Sequence, residues 1–331
     1  MGRTDRFKQF RVIKTEGFIM AKSEKVLVIM GGTSTEREVS LRSGRAVCKA
    51  LIEAGYNAQT FDIQPDNIDE IKKINPDIAF LALHGKGGED GKIQGLLEWM
   101  NIPYTGPGIA SSAICIDKIL TKKLMVQSGV KTPEFMTINQ SEFEKKGSVC
   151  NEVAKKIGLP AVIKASCQGS SIGVVIVNKT EEIDKTIKEL FSYGDEILIE
   201  QFVEGIEISV PVIGNDTLTV LPIIEITSSN EFYDYQAKYT KGMSRHIIPA
   251  RISDDTKCKV EEIAKKAYKA ALCRGLSRID FIIDKNSEPY FIEINTIPGM
   301  TEVSLFPDSA NHAGISFPEL VDKIVKLGLE K

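Results

Sequence analysis

The chain has 331 residues, 42% of them hydrophobic and 26% charged, with a formal net charge of -3 at pH 7. That length accommodates two or three domains with cores of their own, and the near-neutral balance argues against a dedicated binder of nucleic acid or of anionic membranes. The longest apolar runs, such as Ile78–Leu83, are far too short to span a bilayer.

Before Met20 the chain carries Arg3, Arg6, Lys8, Arg11 and Lys14 and no long apolar stretch, so residues 1–20 read as a poorly ordered extension or an upstream start before a true start at Met20, with a transit peptide as the alternative, and not as a secretory signal. The six cysteines form no C-x-x-C pair, which speaks against zinc and redox motifs and for reduced cytosolic thiols. The three histidines, His84, His246 and His312, are too dispersed for a histidine metal cluster.

Lys25–Met30 predicts a buried first strand ending at Gly31-Gly32, followed by a helix over about Glu38–Ala54. The G-x-G-x-x-G dinucleotide fingerprint is missing there. Thr33–Glu38 sets hydroxyls and charges at a helix start. Taken alone, this reads as capping by Ser34 or Thr35. Phe61–Ile63 and Asp77–Leu83 predict the second and third strands. The third ends in a glycine-rich loop from His84 to Gly91, where α/β sheets gather ligands. Ile93–Met100 predicts a helix, and the Pro- and Gly-rich stretch Asn101–Gly108 a domain boundary.

Beyond it, a continuous helix is expected from Ile109 to Ser128, carrying Lys118. Leu159–Lys164 and Val174–Val177 predict strands flanking a small-residue loop. A strand-end lysine beside a Gly/Ser loop is a means of holding phosphate, with the loop as a flap; the pattern is not a Walker A loop. Thr180–Phe191 predicts a Thr-capped helix, and Glu196–Phe202 a strand that is either plain sheet or an adenine-reading hinge. A β-rich region follows from Glu207, with a helix over about Asp254–Leu272 and another over Phe317–Leu327. The polar, tyrosine-rich stretch Thr227–His246 is long enough to predict a functional loop, a lid.

Arg278–Asp284 and Tyr290–Asn295 predict a β-hairpin. Alternation sets Glu293 and Asn295 on one face, and a two-residue turn at Asn286-Ser287 pairs Asp280 with Glu293. Acidic oxygens inside apolar strands call for a cation, and hard oxygen donors suit magnesium shared with nucleotide phosphates.

Six motifs in order resemble the D-alanine–D-alanine ligase family of the ATP-grasp superfamily. They are G-G-T-S-x-E-R-E-V-S-L at 31–41, L-H-G-x-G-G-E-D-G at 83–91, Asp117-Lys118, G-S-S-x-G at 169–173, F-Y-D-Y-x-A-K-Y at 232–239, and R-I-D with E-x-N-T-x-P-G-M-T over 278–301. The resemblance runs from about Lys25 to the C-terminus. It implies a cytoplasmic, three-domain ATP-grasp enzyme of mixed α/β class. The expected divisions are 21–106 (parallel α/β, substrate), 107–200 (central, phosphate flap) and 201–331 (C-terminal, lid and metal site). It further implies ATP as co-substrate, two magnesium ions (manganese as an alternative), D-alanine as substrate, neither nucleic acid nor membrane as partner, and a homodimer.

By resemblance, Lys118, Lys164 and Ser170 or Ser171 would hold ATP phosphates. Glu200, Gln201, Val203 and Glu207 would frame adenine and ribose, Phe202 would pack near the base, and Lys238 would reach the γ-phosphate. Asp280, Glu293 and Asn295 would ligate metal. Glu36, held by Ser171 and Tyr239, would take the first substrate's ammonium, with His84 alongside. Arg278 and the Gly299 backbone would stabilise the oxyanion, and Ser304 with the Leu305 backbone would take the second substrate's carboxylate. Ala165 and Gln168 depart from the family's usual flap residues. Three rivals remain: a depsipeptide ligase using D-lactate, disfavoured by Tyr239; a non-catalytic nucleotide-binding module; and a dehydrogenase.

Overall fold

The computed structural model describes residues 22–167, 173–228 and 244–330. Three sheets organise the chain. The first is parallel, with β1 (Lys25–Gly31) central between β2 (Asn57–Ile63) and β3 (Ile78–Leu81). β1 is apolar almost throughout because helices cover both its faces. β2 begins four residues earlier than expected. Its polar start, Asn57–Thr60, is tolerated at a sheet edge, where apolar patterning is weak.

Helix α1 (Arg37–Glu53) packs one face through Val39, Val47 and Leu51. Beyond α2 (Glu70–Ile74) and α3 (Lys92–Trp99), the expected continuous helix is two: α4 (Ile109–Ile116) and α5 (Lys118–Gln127). Asp117 breaks it. Its backbone is extended, and its carboxylate accepts from the Ile119 and Leu120 amides at 2.9 and 3.1 Å, an N-cap that overrides the continuing apolar pattern.

The second sheet is antiparallel, in the order β4 (Phe135–Asn139), β7 (Glu196–Gln201), β5 (Ala161–Ala165), β6 (Val174–Val177). Helices α6 (Gln140–Lys146), α7 (Cys150–Lys156) and α8 (Thr180–Leu190) share its core. The cap residue of α8 is Lys179 and not Thr180, and Glu182 reaches back to the Lys179 amide at 3.3 Å.

The third sheet runs β11 (Ser244–Ile247), β10 (Ile224–Ser228), β8 (Gly205–Ile213), β12 (Leu276–Asp284), β13 (Pro289–Asn295), with β9 (Thr219–Val220) on β8. Helix α9 (Asp254–Ala270) packs beneath it. The stretch expected as one long loop therefore begins and ends as paired strands, Thr227 facing Arg245 and Ile226 facing His246. Residues 229–243 between them lie outside the described residues.

Two final helices, α10 (Leu305–His312) and α11 (Phe317–Leu329), return to the first sheet. Leu320, Val321, Ile324 and Val325 share a core with Val26, Val28 and Phe80. Among the described residues, no helix is long and apolar enough to cross a membrane.

The hairpin pairs Asp280 with Glu293 and Arg278 with Asn295 as expected, but by a different route. The Asp284 amide donates to the Glu288 carbonyl at 3.0 Å, which leaves a three-residue turn with Ser287 at φ 62°. A bulge at Ile292, between the Asp280 and Phe281 pairings, restores the register.

Candidate active site

Small hydroxyls at the start of α1 tie the loops together. The Gly31 amide donates to Ser40 Oγ at 2.8 Å, and Ser40 Oγ donates to the Ala82 carbonyl at 2.7 Å. Ser34 does not cap the helix. Its hydroxyl donates to the His84 carbonyl at 2.6 Å, and Glu36 occupies the cap position without a side-chain cap bond. The capping expectation thus fails: Ser34 Oγ accepts from the Glu36 amide at 3.2 Å, one residue before the helix begins, while it joins two strand-end loops.

Glu36 and His84 are both buried. His84 Nε2 lies 3.1 Å from Ser43 Oγ, and Nδ1 lies 3.1 Å from the Ile297 carbonyl. Burial pushes the imidazole pKa down, against the pull of Glu36. Ser43 also accepts from the Met300 amide at 3.3 Å, so α1 is fastened to the segment after β13. Gly85 has φ 69°, and a Cβ there would come within 2.9 Å of Glu36 Oε2, so backbone conformation and the acid both require glycine.

Glu89 belongs to this cluster and was not among the expected site residues. It is buried and accepts from the Gly85 amide at 2.6 Å. Burial, reinforced by Glu36, pushes its carboxyl up to about 8, against stabilising backbone donors and Arg278. Its position in the E-D-G of the His84 loop was the only signal available.

Arg278 spans to Asp280, with Nε 3.0 Å from Oδ1 and Nη2 2.8 Å from Oδ2, and Ser209 Oγ donates to the same Oδ1 at 2.6 Å. On the facing strand, Glu293 Oε2 lies 3.8 Å from Lys118 Nζ. Asn295 Oδ1 is buried with no hydrogen-bond partner among the described residues. An orphaned buried oxygen beside two carboxylates fits a hard divalent cation. Among the described residues no three His, Cys, Asp or Glu side chains are placed to hold a metal ion by themselves, so the third oxygen of this set is the amide.

Lys164, at the end of β5, pairs with Glu200 of β7. The other Glu200 oxygen lies 2.8 Å from Nζ of Lys122, which sequence reasoning also missed. Burial alone would raise the Glu200 carboxyl; the two lysines outweigh it and bring it down to about 2. The Glu200 carboxylate is thus engaged by two lysines. Gln201, Phe202 and Val203 line an open cleft of about 710 Å³ with Ile206 and Tyr290, and neither Lys164 nor Glu200 lines it. Glu207 sits on β8 beside Ile282.

Gly299 abuts Ser304, since a Cβ on it would come within 2.9 Å of Ser304 Oγ. Ser304 occupies the N-cap position of α10 without a side-chain cap bond, its hydroxyl accepting instead from the Thr301 amide at 3.0 Å, and Leu305 opens the helix. Ser170, Ser171, Lys238 and Tyr239 lie outside the described residues.

Two family models match: D-ala D-ala ligase N-terminus over residues 67–107 and D-ala D-ala ligase C-terminus over 124–326. The chain is 50% identical over 310 residues to the D-alanine--D-alanine ligase of Desulforamulus reducens, covering 93% of this chain and 99% of that protein. It is also 50% identical over 307 residues to that of Carboxydothermus hydrogenoformans, at 92% and 98% coverage. Among solved structures, the D-alanine--D-alanine ligase of Bacillus anthracis superposes with TM-score 0.82 at 36% identity, over 93% of this chain and 98% of that one. The same enzyme complexed with ATP superposes at 0.80 and 33% identity, with the same coverage. VanG D-Ala:D-Ser ligase from Enterococcus faecalis superposes at 0.81 and 31%, over 93% and 100%. The chain belongs to the D-alanine–D-alanine ligase family, an ATP-grasp enzyme of mixed α/β class.

Proposed function

We propose that the chain joins two D-alanines into D-alanyl-D-alanine at the expense of ATP. The observation that carries this reading is 50% identity to a D-alanine--D-alanine ligase along 99% of that protein's length. ATP transfers its γ-phosphoryl group to the carboxylate of the first D-alanine, releasing ADP. The amine of the second attacks the acyl carbon, and the tetrahedral intermediate collapses with loss of phosphate.

The roles of individual residues are our assignments. Glu36, buried at the start of α1, takes the first substrate's ammonium, with His84 beside it and Glu89, whose carboxyl burial pushes up to about 8, in the same cluster. Lys118 and Lys164 neutralise phosphate oxygens, with Ser170, Ser171 and Lys238 closing from the flap and lid. Glu200, Gln201, Phe202, Val203 and Glu207 frame the nucleoside. Arg278 and the Gly299 amide meet the developing oxyanion. Ser304 and the Leu305 amide take the second carboxylate, at the N-terminus of α10.

Asp280, Glu293 and Asn295 would hold magnesium (two ions, or manganese), which when bound neutralises and orients the phosphates. The chain's own contribution is positioning and exclusion of water, because an acyl phosphate hydrolyses readily. We also propose the division at 106/107 and 200/201, a homodimer and a cytoplasmic location.

Coupled ADP release, with D-alanine alone and then with D-lactate or D-serine added, tests the reading. The expected product with D-alanine alone is the amide dipeptide. Preferential formation of ester, or no ADP release with D-alanine, sinks it. Sedimentation of the purified chain tests the dimer.

A further inference from the structure

Lys122 has no part in the assignments above, yet its side chain is only 1% exposed. Burying a lysine is costly unless a charge compensates, and a helix surface offers solvated positions at no such cost. Its partner is Glu200 Oε2, at 2.8 Å, while the second Glu200 oxygen pairs with Lys164. The Lys122 contact is an ion pair without hydrogen-bond alignment. Burial pushes the Lys122 ammonium pKa down, and Glu200 opposes this.

The helix explains the geometry. Lys118 and Lys122 are one turn apart and share a face of α5. Lys118 lies 3.8 Å from Glu293 in the third sheet, and Lys122 reaches Glu200 in the second. α5 thus offers a cation to each of the two sheets.

Charge counting then gives the role. Glu200 is one negative charge between two cations and neutralises only one of them. With Lys122 present, the cluster keeps a surplus positive charge at Lys164, the more exposed lysine. Without Lys122, Glu200 would claim Lys164 outright, and a phosphate would find no net charge. We infer that Lys122 is a positioning residue: it neutralises Glu200 and so frees Lys164 to exchange Glu200 for a nucleotide phosphate. This deepens the nucleotide-binding reading and rests on it.

The test is calorimetric titration of the full chain with ADP plus magnesium and, separately, with adenosine. Adenosine lacks phosphate and reports the base and ribose contacts alone. Lys122→Met is expected to raise the ADP Kd about tenfold or more while leaving adenosine unchanged. Combined with Lys164→Met, it should add nothing to the loss from Lys164→Met, because one residue acts through the other. Equal weakening of both ligands, an unchanged ADP Kd, or additive losses overturn the inference. Should Lys122→Met fail to fold, the uncharged pair Lys122→Met with Glu200→Gln carries the test. It is expected to keep the wild-type preference for ADP over adenosine, and loss of that preference overturns the inference. A wild-type chain that binds neither ADP nor ATP would instead remove the nucleotide reading itself.

Discussion

The third and second sheets, two walls on either side of α5, solve opposite electrostatic problems. In the third sheet, Asp280, Glu293 and Asn295 present oxygens, with Arg278 spent on Asp280 and one amide oxygen orphaned. In the second, Lys122 and Lys164 bracket the single carboxylate Glu200. Each acid of the first set already has a cation near it, Arg278 at Asp280 and Lys118 at Glu293, whereas the second set holds two lysines to one carboxylate. In the proposed reaction a metal–nucleotide complex would bring a cation to the orphaned Asn295 oxygen and phosphate charge to the lysines. The comparison also shows why the walls are held by one helix, α5, whose two lysines touch a carboxylate on each side.

The largest expected effect breaks the oxygen wall. Glu293→Ala should lower kcat at least about a hundredfold, since charge neutralisation dominates phosphoryl transfer. Retention of most turnover in the coupled assay would overturn the metal assignment. Next, Lys164→Met should act on the opposite wall, raising KM for ATP about tenfold while KM for D-alanine stays within about twofold. Equal rises in both would place Lys164 outside nucleotide binding.

A third prediction concerns pH, and here two buried glutamates carry opposite signs. Glu89 is pushed up to about 8 from an ordinary 4.5. Across that window the folded chain keeps a proton that the unfolded chain has lost, so this group's stabilising contribution falls as pH rises. Glu200 is pushed down to about 2, so its contribution is present above about 4.5 and is lost as pH falls. Glu89→Gln should therefore flatten the decline in stability between about pH 4.5 and 8. Urea midpoints measured across the window check this, and an unchanged slope would refute it.

The smallest effect belongs to the hairpin turn. Ser287 sits at φ 62°, and Ser287→Gly should stabilise by less than about 1 kcal/mol, with kcat unchanged. A large loss of activity would mean that the turn sets the geometry of the oxygen wall.

Much of this was legible in the chain. β1, β3, the flap strands and the hairpin were readable from apolar runs and alternation. The Asp280–Glu293 pairing came out correctly although two details were wrong: the turn has one residue more than expected, and a bulge on β13 compensates. Bulges leave no periodic trace, so such agreement is partly luck. The α4–α5 break was missed because apolar spacing continues through it, and only the structure shows Asp117 acting as an N-cap. Lys122 was illegible for a plainer reason. A lysine on an amphipathic helix is normally solvated, and only the tertiary approach of Glu200 makes it otherwise. Glu89 was hidden likewise, since burial is not written in a glycine-rich loop.

The last helix has a consequence for how the chain is born. α11 closes the core of the first sheet, and its Asp322 accepts from Tyr56 Oη at 2.8 Å and pairs with Lys22. Synthesis runs from the other end, so the strands that emerge first from the ribosome must wait for the final helix before Val26 and Phe80 are covered. A stop codon placed just before Phe317 should therefore cost the first sheet as much as the last helix. Nascent chains stalled short of it should remain open to protease near residue 26, where the released protein is closed.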